Sequence, residues 1–299
     1  MVEEATKRGY GTGRSLLTSF VNWQRRGLIA YAASKTSRRG GEGLWHERQL
    51  WIWLSLLHLR SQGAHLTILA NVPIATWMLG VDGVETQQVQ KVMAQFWGSP
   101  KPPPDLARSR GYRRQVEKAV DWMAAPGATA SDRRRYRKTL AQVSGALPEV
   151  GVSARVYAAA AAPVLAPSKE TTWAQRVAIS NVYGLFEARA LAMSQMPNLS
   201  RPTLETIEFW EWARRMFQRT WSDYSRAQPA MATDPEVGHL YDPPDMSGVG
   251  LLTWNGCVTL LSMLGIGLDL LRSGGAAPPG LEAPPNLRWW PSLSRGRRQ

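Results

Sequence analysis

Apolar residues recur along most of this chain at intervals of three and four, and strict alternation is confined to short stretches near the amino terminus. From Leu44 to about Arg60, LWHERQLWIWLSLLHLR predicts a helix. After a Ser-Gln-Gly turn, the apolar run AHLTILA predicts a β-strand, and a helix holding Ile74, Trp77 and Met78 follows. In VETQQVQKVMAQFW, Val84, Val92 and Phe96 fall close to one helical face, and GSPKPPPD ends that helix and marks the clearest boundary in the chain. Upstream, TSFVNW and RGLIAYAAS predict a strand pair or, given the Gly, Ser and Arg around them, an arm.

Beyond the proline run the pattern is helical almost to the end. GYRRQVEKAVDWM and SDRRRYRKTLAQVSGAL predict short basic helices, the second capped by Ser131 or Asp132. An Ala-rich helix is interrupted at Pro163 and ended by Pro167, and Ser168 caps the next one, which runs to about Met196. In TLETIEFWEWARRMFQRTWSDYSR, the residues Trp210, Phe217, Trp221 and Tyr224 share one helical face. Gly248 to Leu268 is about long enough to span a bilayer, but Asn255, five glycines and the closing Asp269 favour a buried helical hairpin over a membrane segment. The tail from Ser273 has the composition of an extended arm that reaches a neighbouring subunit through Trp289 and Trp290. No repeat of solenoid length is present.

These patterns predict a mainly α protein of helical, bundle-like lobes, with a small α/β segment near the amino terminus and extended terminal arms. The expected divisions are a basic arm and small lobe over 1–100, a basic helical segment over 101–150, a packing lobe over 151–272 and an arm over 273–299.

With 299 residues, 44% of them hydrophobic and 14 of them Trp, the chain can bury a sizeable core, which excludes disorder throughout. The single cysteine, Cys257, excludes an internal disulfide framework and a thiolate-held structural zinc, and points to a reducing compartment. The amino terminus lacks the apolar core of a secretory signal, and Glu3 and Glu4 argue against a transit peptide.

Charge changes the picture more. Of the net +13, residues 1–60 carry +6 and residues 101–140 carry +7, so the first 140 residues hold nearly all of it. A one-signed field over half a chain suits a polyanion. The excess concentrates in ARSRGYRRQ and SDRRRYRKT, which interleave arginines with one tyrosine each. Guanidinium forks can bridge phosphates while an aromatic face accepts an unstacked base. The candidate binding residues are therefore Arg108, Arg110, Tyr112, Arg113 and Arg114 in the first cluster, and Arg133, Arg134, Arg135, Tyr136, Arg137 and Lys138 in the second.

Enzymatic motifs are incomplete. His46-Glu47 opens like a zinc-protease helix, but Leu50 stands where the second histidine belongs. His58, His65 and His239 have no ligand spacing, and GYGTGRS lacks the lysine and preceding strand of a phosphate loop. Residues 18–97 resemble part of the ribonuclease H fold, with Glu47 at a catalytic-helix position. That resemblance implies further acids where Asn22 and Ala70 stand, and a lone Glu47 cannot hold two metal ions. No catalytic residue, metal or cofactor is expected.

ETQQVQKVMAQFW, followed by a proline-broken loop and arginines, resembles a stretch of the coat proteins of rod-shaped plant viruses, whose helices pack radially and whose basic residues line an RNA groove. Together with the charge map this implies a nucleocapsid or coat protein of an RNA virus, binding single-stranded RNA and self-associating, in a virion or host cytoplasm, with a membrane not expected. A nonviral structural subunit of a ribonucleoprotein or organellar complex has the same features, and an inactive ribonuclease H-like relic is the remaining alternative.

Overall fold

The computed structural model describes residues 1–32, 34–35, 43–97, 113, 117, 120–121, 123–125, 127–145, 159–165, 173–235, 238, 248–277 and 279–290, and these are mostly helical. A short α1 (Val2–Lys7) lies against α2 (Gly13–Arg25), whose Leu16, Phe20 and Trp23 are buried. Their four-then-three spacing is a helical stripe, so TSFVNW belongs to a helix and not to the first of two strands. The α/β segment expected near the amino terminus is not formed. Among the described residues the only strands are the two-residue antiparallel partners β1 (Ser34–Lys35) and β2 (Gly43–Leu44).

His46 caps α3 (Glu47–Ser61), its Nδ1 accepting from the Arg48 backbone N–H at 3.2 Å. The stretch expected as a strand is helical too. His65 caps a single turn, α4 (Leu66–Leu69), and the chain continues into α5 (Asn71–Met78), every residue of which is buried. An apolar run without alternation does not distinguish a buried strand from a helix buried on all sides, and here surrounding helices decide. With helices at both places where the ribonuclease H resemblance requires strands, that arrangement is absent from residues 18–97. α6 (Thr86–Trp97) buries Val89, Val92 and Met93 along the expected face.

After α6 come α7 (Ala130–Gly145), α8 (Trp173–Leu199), α9 (Leu204–Met231) and α10 (Gly248–Ser273). A capping box of Thr203 and Thr206 opens α9, and its Phe209, Trp210, Trp212, Met216 and Phe217 enter the core. The predicted aromatic face continues outward as a stack of Phe217, Trp221 and Tyr224, with centroids 5.8 and 5.5 Å apart.

The membrane-like stretch is one continuous helix, not a hairpin. It passes among α5, α8 and α9, and its glycines permit the approach. A Cβ at Gly265 would stand 1.8 Å from the Ala188 carbonyl oxygen, and one at Gly267 would meet the Trp212 and Phe209 rings. Asn71 fixes the crossing with α5 by accepting from the Cys257 backbone N–H at 2.8 Å. Among the described residues α10 holds the one segment long and apolar enough to cross a membrane, Gly256–Ser273, and 56% of it is buried within the fold.

One core therefore unites residues near both ends. Trp23 and Trp53 meet edge to face at 5.0 Å, and Trp77 and Trp210 do so at 6.3 Å. The tail joins this same core: Leu287 is buried, Trp212 Nε1 donates to the Glu282 carbonyl at 2.7 Å, and Arg288 pairs with Glu205 at 2.8 Å. Trp289 and Trp290, expected to reach a neighbour, are partly buried against their own chain. A second, smaller core gathers Val120, Tyr136, Ala160, Ala161, Val164 and Leu165. These cores cut across the divisions expected at 150 and 272.

Candidate nucleic-acid interface

The second arginine cluster lies on α7. Its cap is Thr129, whose Oγ1 accepts from the Asp132 backbone N–H at 3.1 Å and donates to the Asp132 carboxylate, in place of the expected Ser131 or Asp132. Tyr136, Leu140 and the helical residues 159–165 close the small core, with the Ala125 backbone N–H donating to the Val164 carbonyl at 2.9 Å. Burying one face of a helix turns the others outward. Arg134, Arg135 and Lys138 are accordingly exposed, and Arg133 and Arg137, one turn apart, flank Asp121.

Asp121 is what local sequence patterns miss. Its carboxylate pairs with Arg137 at 2.7 Å and with Arg133 at 3.8 Å, across a separation of 16 residues from Arg137. All three side chains are about one-third to one-half exposed, so each pair contributes roughly 0–1 kcal/mol to stability. Together with Arg134, Ala128 and Ala130 they line a cleft of about 470 Å³. The Nε–H groups of Arg133 and Arg137 are buried without hydrogen-bond partners among the described residues. A cleft with three guanidinium groups, one carboxylate and unused buried donors can take an anion that brings several acceptor oxygens.

Tyr136 is corrected. The expected stacking ring is fully buried, with its hydroxyl 3.8 Å from the Met123 sulfur. Its aromatic face packs against apolar side chains and is closed to a base. Of the first cluster, Arg113 is exposed and helical, while Arg108, Arg110, Tyr112 and Arg114 lie outside the described residues.

Elsewhere the motif residues stay apart. Glu47 is exposed, Asn22 is exposed on α2 and Ala70 is fully buried, so no acid cluster forms around Glu47. Among the described residues no three His, Cys, Asp or Glu side chains converge as metal ligands would. Against protein-family models, curated proteins and solved structures, the chain finds no match.

Proposed function

We propose that this protein is a structural nucleic-acid-binding subunit that assembles around single-stranded RNA, as a nucleocapsid or coat protein does, without catalysing a reaction. The observation that carries the reading is the α7 surface. Five cations within six residues project from a helix whose opposite face is anchored in a core, beside a cleft with unused guanidinium donors. Phosphate oxygens satisfy such donors, and the contact is indifferent to base sequence. For self-association, Leu17 and Val21 stand exposed one turn apart on α2, and Leu204 is 72% exposed at the start of α9.

Binding of a fluorescent single-stranded RNA across a salt series tests the reading. Each phosphate neutralised contributes about 0.7 to the slope of log K against log salt. A steep slope that shrinks when the α7 cations are replaced supports it, and a wild-type protein that does not bind RNA overturns it. Light scattering after size separation, with absorbance at 260 and 280 nm, reads assembly and bound nucleic acid together.

A further inference from the structure

A second surface, built by the fold and not by any run in the sequence, gathers the same chemistry with an open ring. At the end of α2, Gly27 adopts φ +80° and lies so close to α6 that a Cβ would stand 3.2 Å from the Gln88 carbonyl oxygen and from Val92. The chain then plunges inward at Leu28 and Ile29, both fully buried. Ala30 is tied by three hydrogen bonds. Its N–H donates to Gln49 Oε1 at 2.8 Å, and its carbonyl accepts from Gln24 Nε2 and Trp45 Nε1, each at 3.1 Å. Tyr31 follows this anchored residue and is 60% exposed.

Lys91 reaches across from α6. Its Nζ lies 4.6 Å from the Tyr31 ring centroid and 3.4 Å from the Gln24 carbonyl oxygen, so it covers one face of the ring and leaves the other to solvent. Arg25 and Arg26 end α2 beside it. Arg60, at the end of α3, is close enough to Arg26 that both act on the His65 imidazole between them. None of these four cations is paired with a carboxylate among the described residues. An exposed tyrosine on a pinned backbone adds little to stability. Next to unpaired cations from three helices it is built for a flat ligand that carries phosphates.

We propose that Tyr31 is a stacking platform for one unpaired base of a single-stranded nucleic acid, with Lys91, Arg25, Arg26 and Arg60 holding the flanking phosphates. The proposal rests on the RNA-binding reading for its class of ligand, and adds a site on the large core that the α7 cluster does not contain. Guanidinium groups and a single ring favour a nucleic acid over a lipid surface, which would call for a broader apolar skirt around the cations.

The test uses the full chain with two probes, a uridine oligonucleotide and an abasic sugar-phosphate strand of equal length. Tyr31→Ala should weaken oligonucleotide binding by about fivefold or more, leave abasic-strand binding unchanged and keep the salt slope. Tyr31→Trp should restore or exceed wild-type affinity, which a merely folding-related loss would not allow. Lys91→Gln and Arg26→Gln should flatten the slope for both probes, each by about 0.7. Equal binding by wild type and Tyr31→Ala, or an equal loss on both strands, overturns the platform while leaving the α7 reading standing. Binding of vesicles containing phosphatidylglycerol that depends on Tyr31, with RNA binding unaffected, overturns it in favour of a membrane. A wild type that binds neither strand overturns both readings at once.

Discussion

Along α7 five cations lie within six consecutive residues, yet two of them are held by Asp121 and the one ring among them faces the interior. At the end of α2 four cations arrive from three helices separated by dozens of residues, none is paired among the described residues, and the ring beside them is 60% exposed. Density of charge in a sequence reports neither availability nor company. A helix in contact with a core must spend one face on it, and in Arg-Arg-Arg-Tyr-Arg-Lys the tyrosine is the residue best suited to that face. On the large core, Leu28 and Ile29 take the burial, and Tyr31, two positions on, is left outside.

The largest expected effect follows from that contrast between two tyrosines. Tyr136→Ala removes the largest ring of the small core and should destabilise it by about 3–5 kcal/mol, as loss of a fully buried aromatic side chain does. Tyr31→Ala should change stability by less than about 0.5 kcal/mol, because an exposed ring has little packing to lose. Hydrogen exchange at residues 120–140 reads the first, and urea denaturation of the whole protein reads the second. If the two substitutions prove equally costly, the distinction between anchor and platform is wrong.

The helical character and the aromatic face of α9 are legible in the sequence, because spacings of three, four and seven identify a half-buried helix without ambiguity. The strand expected at AHLTILA shows where that logic stops. α5 is buried on all sides, so no polar stripe reveals its period, and only the helices around it make it one. The tail misleads for the opposite reason. Its Gly and Pro content describes the backbone, whereas its place is set by Leu287, Arg288 and a carbonyl that accepts from Trp212. Of the binding residues, the exposed α7 cations are visible as a run. The pairing with Asp121 and the meeting of Tyr31 with Lys91 depend on contacts 16 and 60 residues apart, which no local pattern carries.

The α7 cations themselves should separate into two classes. Replacing Arg134, Arg135 and Lys138 together by Gln should lower the RNA salt slope by about 2, one phosphate for each exposed cation. Replacing Arg133 and Arg137 should lower it less, since both already have a carboxylate partner. Fluorescence anisotropy across a salt series compares the two mutants, with circular dichroism as the folding control. Equal losses would mean that Asp121 does not compete with phosphate.

A smaller change in the opposite direction is expected from Asp121→Asn. The amide keeps the shape and removes the negative charge, so Arg133 and Arg137 become free to meet phosphates, and the salt slope should steepen by up to about 1.4. Stability should hardly move, because the pairs are exposed. Weaker RNA binding by this mutant would show instead that Asp121 orients the two guanidinium groups for their ligand.

The smallest expected effect is a pH dependence at the Tyr31 surface, and it sharpens the comparison because α7 has no histidine. Burial holds the His65 pKa below its ordinary value of 6.5, and the positive charges of Arg60 and Arg26 push it further down. In the unfolded chain His65 takes up a proton near that ordinary value, while the folded protein resists until more acid conditions. The unfolded state therefore binds more protons between the two, and stability rises with pH across that window, reaching its full value above about 6.5. Acidification from pH 7 should lower stability, and His65→Asn, whose side chain can still accept at the start of α4, should remove that dependence. Phosphates bound by Arg26 and Arg60 would offset the two positive charges and raise the His65 pKa, so RNA binding should be accompanied by proton uptake and should tighten as pH falls through the window. An NMR titration of His65 with and without the uridine oligonucleotide measures both. A His65 pKa that does not move on binding would place the strand away from Arg26 and Arg60, and leave the α7 cations as its contact.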